Sequence, residues 1–536
     1  MIAHPIAPLL ALALGSGPKF YPDDPILVDR DDLPIEMPGR IELSPTYDLL
    51  EKTFAPVSTE GGIPRAMNVN TLGEVPDSSW FENRIGVRNM SLEEIARGPS
   101  GGGPPELPLT VTAGKASGIT PGFTVRDARG KIYFVKFDPA PHPNLSTAAE
   151  VIGKSFFHAI GYNVPESYIA YLRLEDLTIA PGAEVRVNGQ TKVAMDREFL
   201  ETMLGSSARR PDGSTRAVAS LAVDGEPIGP FQFLGTRPDD PNDVIPHEHR
   251  RELRGYRVFC AWLNHDDSRA INTLDSYVGA PGAGHVRHYL IDFSSTLGSG
   301  SDTRRRIAPQ NPRAGNEYIV DLRSAWKAFY TLGIRDSAWR HVPYAYPQYA
   351  EAGRIESDYF DPALWKPEYP NPAFDRMLAD DGFWAAKIVA RFEDEAIRAI
   401  VATGDFLSRE AEGFLADTII RRRDKVVAHY FRELNPLDRF SVEGDSLAFR
   451  NLGRERGLAE VSGYDYEWFS FENETGALTP LGARGRTASE GIPLPGSDST
   501  LLMVRIRTLS ETEPSWQKAV DVYLRSDRVV GIAREN

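Results

Sequence analysis

Cysteine is almost absent from this chain. The single thiol, Cys260, stands inside an apolar run, so no intramolecular disulfide can form and no cysteine-rich metal site can be built. In such surroundings it reads as a buried structural group rather than a nucleophile. Blocks of positive charge are scarce as well. Lys and Arg number 60 against 75 Asp and Glu, which gives a formal net charge of −15 and a pI of about 5.3. Arg304-Arg305-Arg306 and Arg421-Arg422-Arg423 are short and read as solvated faces or internal ion pairs. Nucleic acid is therefore not expected as the main partner. Long hydrophobic runs are missing too. The apolar stretch at residues 6–14 is too short to span a bilayer, so no transmembrane segment is expected. It has the length of a signal-peptide core but no Lys/Arg in front of it. Export, for instance to a periplasm, and a cytoplasmic location both stay open. His247 and His249 stand one residue apart and do not form the metallopeptidase pattern H-E-x-x-H.

What is present is a globular composition, 41% hydrophobic and 25% charged over 536 residues, enough for several domains. The pattern divides the chain into five stretches. Residues 1–17 are the signal-like segment. Residues 18–108 are rich in Pro and Asp and read as an extended arm, pinned by Trp80 and Phe81, with a short helix near 47–54 and a Gly/Pro linker at its end. Residues 109–246 are strand-rich, with a helix at 146–160 and another near 196–204. Residues 247–438 read as mostly helical, and their aromatics Trp326, Phe329, Tyr330, Trp339, Tyr344 and Tyr346 as core. Short strands return over 439–536 and suggest a small β-rich domain, with no chemical motif.

The chemistry concentrates in GYRVFCAWLNHDDSRAINTLDSYVGAPGAGHVRHYLIDFSSTLGS, residues 255–299. A helical run over 247–263 delivers Asn264-His265-Asp266-Asp267, and Asn272 follows Asp267 by five residues. Strand-like segments at 273–278 and 285–291 flank a Gly-rich turn, and the second leads into Asp292-Phe293. Phosphotransfer from ATP needs such a set: a carboxylate to orient or deprotonate the acceptor, with an amide and a second carboxylate to hold Mg²⁺ against the phosphates. Upstream, Lys136 sits in the strand Tyr133-Phe134-Val135-Lys136-Phe137, where its ammonium needs a polar target. Glu150 lies early on the helix that Ser146 or Thr147 can cap. Gly114, Gly118 and Gly122 fall around the first strand connection, where backbone N–H groups could approach phosphates. A plain turn explains each glycine equally well.

In its order, this set resembles the protein-kinase-like superfamily. Gly161-Tyr162-Asn163-Val164-Pro165 is similar to the turn after the Glu-bearing helix in HipA-type kinases and type II phosphatidylinositol 4-kinases. The resemblance covers roughly residues 109–435. It implies an α+β, two-lobed fold with a β-rich lobe over 109–246 and a helical lobe over 247–438. It implies that Lys136 contacts nucleotide phosphates, that Glu150 orients Lys136, and that Asp267 is the catalytic carboxylate. Asn272 and Asp292 would ligate Mg²⁺, with ATP as donor and a protein, lipid or small molecule as acceptor. The five-residue step to Asn272 favours Asp267 over its neighbour Asp266, and His265 is expected to brace the loop backbone. Two departures stand out. Ser294 replaces the Gly of the metal motif, and the glycine spacing is not G-x-G-x-x-G.

Other classes stay open at this point: a kinase-like nucleotide-binding or scaffold module without turnover, or a kinase-like enzyme that transfers AMP. A secreted carbohydrate-active enzyme would need two carboxylates facing each other across a cleft, and no spacing argues for that.

Overall fold

The computed structural model describes residues 17–55, 62–114, 122–187, 191–300, 315–334, 347–497 and 499–536. Almost all of the signal-like segment, Gly118, Arg304 to Arg306, Trp339, Tyr344 and Tyr346 lie outside these residues. The chain forms two compact units, Leu27–Val69 with Val75–Tyr430, and Met1–Ile26 with Asn70–Glu74 and Phe431–Asn536. Both contribute to an α+β fold. No helix among the described residues is long and apolar enough to cross a membrane.

The larger unit begins with helices α1 (Pro45–Phe54) and α2 (Leu92–Arg97). Strands β1 (Leu109–Gly114), β2 (Gly122–Arg126) and β3 (Ile132–Phe137) precede α3 (Leu145–Ile160). After β4 (Ser167–Leu172), β5 (Leu177–Ile179), β6 (Glu184–Val187) and β7 (Thr191–Ala194) come α4 (Arg197–Gly205) and β8 (Thr215–Leu221). Six strands make one sheet in the order β4-β8-β3-β2-β1-β5, antiparallel except for β1 with β5. Alternation decides its faces. Tyr133, Val135 and Phe137 join Val111, Phe123 and Ala217 in a core completed by Leu200 and Met203 of α4. That sends Lys136 to the opposite face.

A second sheet holds β9 (Glu226–Gly229), β10 (Thr273–Val278) and β11 (His285–Leu290), with β10 central. Helix α5 (Arg251–Leu263) leads into β10. The helix expected over 247–263 is broken: His247–His249 is a separate 3₁₀ turn, because Arg250 has an extended backbone. The described residues of 315–334 and 347–378 are largely irregular around α6 (Leu322–Tyr330), and further helices follow at α7 (Ala379–Val389), α8 (Asp394–Ala402) and α9 (Arg409–Glu433). Trp326, Phe329 and Tyr330 are exposed, contrary to the core role expected of them. Gly255 of α5 lets the Trp384 ring of α7 come close, since a Cβ there would lie 2.8 Å from Cζ3.

Residues of the N-terminal arm run along the second sheet. The Ile35 N–H donates to Gly284 O at 2.8 Å and the Ile41 N–H to Ile228 O at 2.9 Å. Trp80 stacks on His288 with ring centroids 3.5 Å apart, and Phe81 packs on Trp384.

In the smaller unit, β12 (Leu437–Glu443), β13 (Ser446–Asn451) and β16 (Gly491–Pro493) form one sheet. A five-stranded sheet is ordered β15-β14-β17-β18-β19, from β14 (Gly463–Phe471), β15 (Leu478–Thr487), β17 (Leu501–Leu509), β18 (Val520–Arg525) and β19 (Arg528–Arg534). The short helix α10 (Leu452–Glu455) follows β13. Leu447 and Phe449 of the first sheet share a core with Trp468, Val504 and Val522 of the second.

Candidate functional site

The site starts with an ammonium group on the face of β3 turned away from the α4 core. Lys136 Nζ lies 3.2 Å from Glu150 Oε2 and 2.7 Å from Asp292 Oδ1. Glu150 is buried, and its other oxygen, Oε1, takes Lys154 Nζ at 2.7 Å. Lys154 is one helical turn further along α3 and also donates to the Ser220 hydroxyl at 2.9 Å. Burial disfavours the Lys136 charge, but Asp292 and Glu150 outweigh it and hold its pKa above the ordinary value. Burial likewise works against the Glu150 carboxylate, and the two lysines outweigh it and hold its pKa below the usual range. Lys154 goes the other way: burial dominates and lowers its pKa despite Glu150.

Glu150 is positioned by the start of α3, which differs from the sequence expectation. Neither Ser146 nor Thr147 caps the helix. The buried carboxylate of Asp138, just past β3, accepts from the N–H groups of Asn144, Ser146 and Thr147 at 3.0, 2.8 and 2.9 Å. It satisfies orphan donors of the first turn from outside the helix. The helix begins at Leu145, so Glu150 lies in its second turn rather than its first.

The Asp292 side of the site is set by a hairpin. Thr273 pairs with Leu290, and the Ile291 N–H donates to Asn272 O at 2.9 Å. That register puts Asn272 opposite the residue before Asp292. Asp292 has φ +61°, in the left-handed region where Asp is tolerated, and its Oδ1 also accepts the Ser294 hydroxyl at 2.6 Å. Phe293 is buried beneath α3, stacked on Phe157 at 4.9 Å. Gly153 makes that approach possible, because a Cβ there would lie 2.9 Å from Phe293 Cβ.

Helix α5 ends at Asn264 in a left-handed conformation, φ 51° and ψ 49°. His265 follows, fully buried, with Nδ1 3.0 Å from the Thr296 hydroxyl. Burial pushes its pKa down to about 4, against the pull of Asp292 and Glu150, so it is neutral at pH 7. It braces the loop after Asp292 through a side chain, where bracing of the backbone was expected. Asp266 is buried, and its carbonyl accepts the Glu368 N–H at 2.9 Å. Asp267 forms an ion pair with Arg269, and its carbonyl accepts the Asn272 amide N–H at 2.8 Å. Burial raises the Asp267 pKa, with Arg269 opposing and Asp292 adding to the rise.

Several members of this cluster were not foreseen. Arg269 also reaches the half-buried Glu368, whose Oε2 lies 3.4 Å from Nη1. Burial and then Asp267 push the Glu368 pKa well above the usual range. The neighbouring Tyr369 hydroxyl donates to the buried Asp48 of α1. Lys154 could have been found, as it stands four residues from Glu150 on one helix face. Glu368, about a hundred residues from Asp267, had no local signal.

Gly114 and Gly122 are explained by packing. A Cβ on Gly114 would lie 2.4 Å from Val185 Cγ2, and one on Gly122 would lie 2.3 Å from Val135 O. Gly122 pairs directly with Lys136 across β2 and β3. No cluster of three or more His, Cys, Asp or Glu suited to a metal occurs among the described residues. Asn272 and Asp292 offer two ligating side chains, each able to give one oxygen. The Asn272 amide nitrogen is engaged by Asp267, which leaves Oδ1 as its ligand atom. Two oxygens fit a hard cation that keeps waters and takes phosphate oxygens, as Mg²⁺ does, and do not fit a metal that needs a full protein cage.

No family model matches the sequence, and no curated protein matches it. Among solved structures the chain is similar to the crystal structure of a Helicobacter pylori proinflammatory kinase, CtkA. The identity is 12%, with 61% of this chain and 97% of that chain covered and a TM-score of 0.32, a weak likeness.

Proposed function

We propose that this chain is an ATP- and Mg²⁺-dependent phosphotransferase of the kinase-like, two-lobed type. The observation that carries the reading is the meeting of Lys136 with Glu150 at 3.2 Å and Asp292 at 2.7 Å, from three separate stretches of sequence. In this reading the Lys136 ammonium, held by Glu150, binds phosphate oxygens of ATP. Asp267 orients the acceptor hydroxyl and takes its proton, a role helped by a carboxyl pKa above the ordinary value. The bond from the acceptor oxygen to the γ-phosphorus forms as the bond from that phosphorus to the β,γ-bridging oxygen breaks, and ADP leaves. Asn272 and Asp292 would hold Mg²⁺, which supplies charge neutralisation at the phosphates. Catalysis is then positioning and electrostatics.

The test is incubation of the full chain with γ-labelled ATP and Mg²⁺, beside Asp267→Ala and Asp292→Ala. Label on the wild type or on an added acceptor, absent from both variants, supports phosphoryl transfer. Mass spectrometry of the adduct separates it from AMP transfer. A second reading, nucleotide binding without turnover, draws on the ion pair by which Arg269 engages the Asp267 carboxylate. It would show as Mg-ATP-dependent thermal stabilisation without label.

A further inference from the structure

Glu150 is held from two sides, and the second side has no part in the phosphotransferase reading. Lys154, one turn along α3, is 2% exposed. Its ammonium lies 2.7 Å from Glu150 Oε1, while that of Lys136 lies 3.2 Å from Oε2. Lys154 also donates to the Ser167 hydroxyl and, at 2.9 Å, to the Ser220 hydroxyl. Three N–H groups thus meet three acceptors, which is what a buried ammonium requires. None is left over for a ligand, so Lys154 is not itself a substrate-binding group. The two serines are register partners across β4 and β8, with hydroxyl oxygens 2.8 Å apart. Ser220 in turn pairs with Phe134 of β3, which stands two residues before Lys136 and on the same face. The grip on Lys154 therefore ties α3 to the sheet beside the strand whose lysine Glu150 must reach.

The charges of the cluster give this tie a purpose. Lys136 and Lys154 stand against Glu150 and Asp292, two cations with two anions, and the cluster is balanced. Phosphate oxygens on Lys136 and a cation on Asp292 would draw both groups away from that balance. Glu150, buried in α3, would then keep Lys154 as its counter-charge. A buried carboxylate without a counter-charge takes up a proton or pulls a cation back to itself. We propose that Lys154 is a positioning residue: gripped by Ser167 and Ser220, it fixes Glu150 Oε1 and keeps the carboxylate ionised, so that Oε2 stays presented to Lys136 while Lys136 binds phosphate. This rests on the phosphotransferase reading for the ligand given to Lys136. The coupling of Lys154 to Lys136 through Glu150 belongs to the protein alone.

The experiment is a mutant cycle on the full chain: Lys136→Met, Lys154→Met and their double variant, each also made with Glu150→Gln. Methionine keeps most of the lysine stem and removes the charge. Denaturant melts without nucleotide read the coupling, and calorimetric titration with Mg-ATP reads Kd. The proposal expects the unfolding constants of the two lysine variants to be non-additive by about fivefold or more, and additive within about twofold once Glu150 is Gln. In that background Lys154→Met removes a buried charge that has lost its carboxylate, so it should melt no lower than Glu150→Gln alone. Mg-ATP affinity should fall about tenfold in Lys154→Met. It should be the same, within about twofold, in Glu150→Gln with and without Lys154→Met. A residue that serves packing alone would add its cost in every background. Additive melting costs overturn the proposal, as does unchanged Mg-ATP affinity in Lys154→Met when the wild type binds Mg-ATP. Intact coupling in a wild type that binds no Mg-ATP supports the grip of Lys154 on Glu150 and overturns the phosphotransferase reading. Should Lys154→Met not fold, Ser220→Ala, which removes one hydroxyl of the grip, replaces it with the same expectations at smaller size.

Discussion

The Lys136 ammonium sits 2.7 Å from the Asp292 carboxylate, although 156 residues separate them in the chain. It is the shorter of the two carboxylate contacts of Lys136, and Glu150, the other partner, is also shared with Lys154. Lys136→Met is expected to abolish phosphoryl transfer and weaken nucleotide binding. It should also cost about 1.5–3 kcal/mol of stability, the range for hydrogen bonds to charged groups. Glu150 has a depressed pKa, so its contribution is present above the ordinary carboxylate pKa and is lost as pH falls through the folded value. A pH series of denaturant melts should therefore show the penalty at pH 7 shrinking in acid. A variant with unchanged stability at pH 7 would contradict the ion-pair role.

His265 predicts a second acid-sensitive contribution. Its folded pKa of about 4 lies below the ordinary 6.5, so the unfolded chain binds the proton first. The stability it protects is present above pH 6.5 and is lost as pH falls from there to about 4. A difference of that size between the folded and unfolded chain is worth about 3 kcal/mol. His265→Gln, which cannot charge, should flatten that part of the stability curve while lowering the plateau at pH 7 through the disturbed packing on Phe293. Melting temperatures from pH 4 to 7 measure both effects.

Glu368 has the opposite sign. Burial beside Asp267 raises its pKa, so folding favours its protonated form and stability drops as pH rises above the ordinary carboxylate value. Glu368→Gln should remove this slope and melt at the wild-type temperature or higher at pH 8. It should melt lower than wild type at pH 8 only if the ion pair with Arg269 is the larger effect. Loss of activity with unchanged nucleotide affinity would mark Glu368 as a positioning residue for the Asp267 loop.

These groups were unequally legible in the sequence. Lys136, Glu150, Asp292 and Asn272 could be named because each stands in a local pattern: a strand, a helix, a hairpin end, a fixed step from Asp267. The α+β class followed from alternating and 3.6-residue periodicities. What escaped were partners supplied from far along the chain. Asp138 caps α3 by folding back over six to nine residues, which no Ser or Thr count at the helix start reveals. Arg269, Glu368, Tyr369 and Asp48 meet only through tertiary contact. The aromatics of α6 were misjudged because periodicity defines an apolar face but not what that face meets.

Gly122 offers a direct test of packing at the site. Its missing Cβ leaves room for Val135 O, which would otherwise lie 2.3 Å away, and its strand partner is Lys136. Gly122→Ala should push β2 from β3 and cost roughly 1–3 kcal/mol, as overpacking does. Nucleotide binding should weaken with it, since Lys136 is the residue displaced. Nucleotide-dependent melting shifts read both quantities.

Asn272 separates ligand from scaffold. Its amide nitrogen holds the Asp267 carbonyl at 2.8 Å, and its oxygen is the proposed Mg²⁺ ligand. Asn272→Asp keeps an oxygen and adds charge but removes the donor, whereas Asn272→Ala removes both. If the amide serves both purposes, the aspartate variant should retain a Mg²⁺-dependent ATP shift in melting temperature and lose rate, through a loosened Asp267. The alanine variant should lose shift and rate together. At ATP a hundredfold above Kd the full shift corresponds to about 2.7 kcal/mol, large enough to read by calorimetry. An ATP shift of equal size in wild type with and without Mg²⁺ would remove the cation from the site, and Asn272 would then be a structural residue of the loop alone.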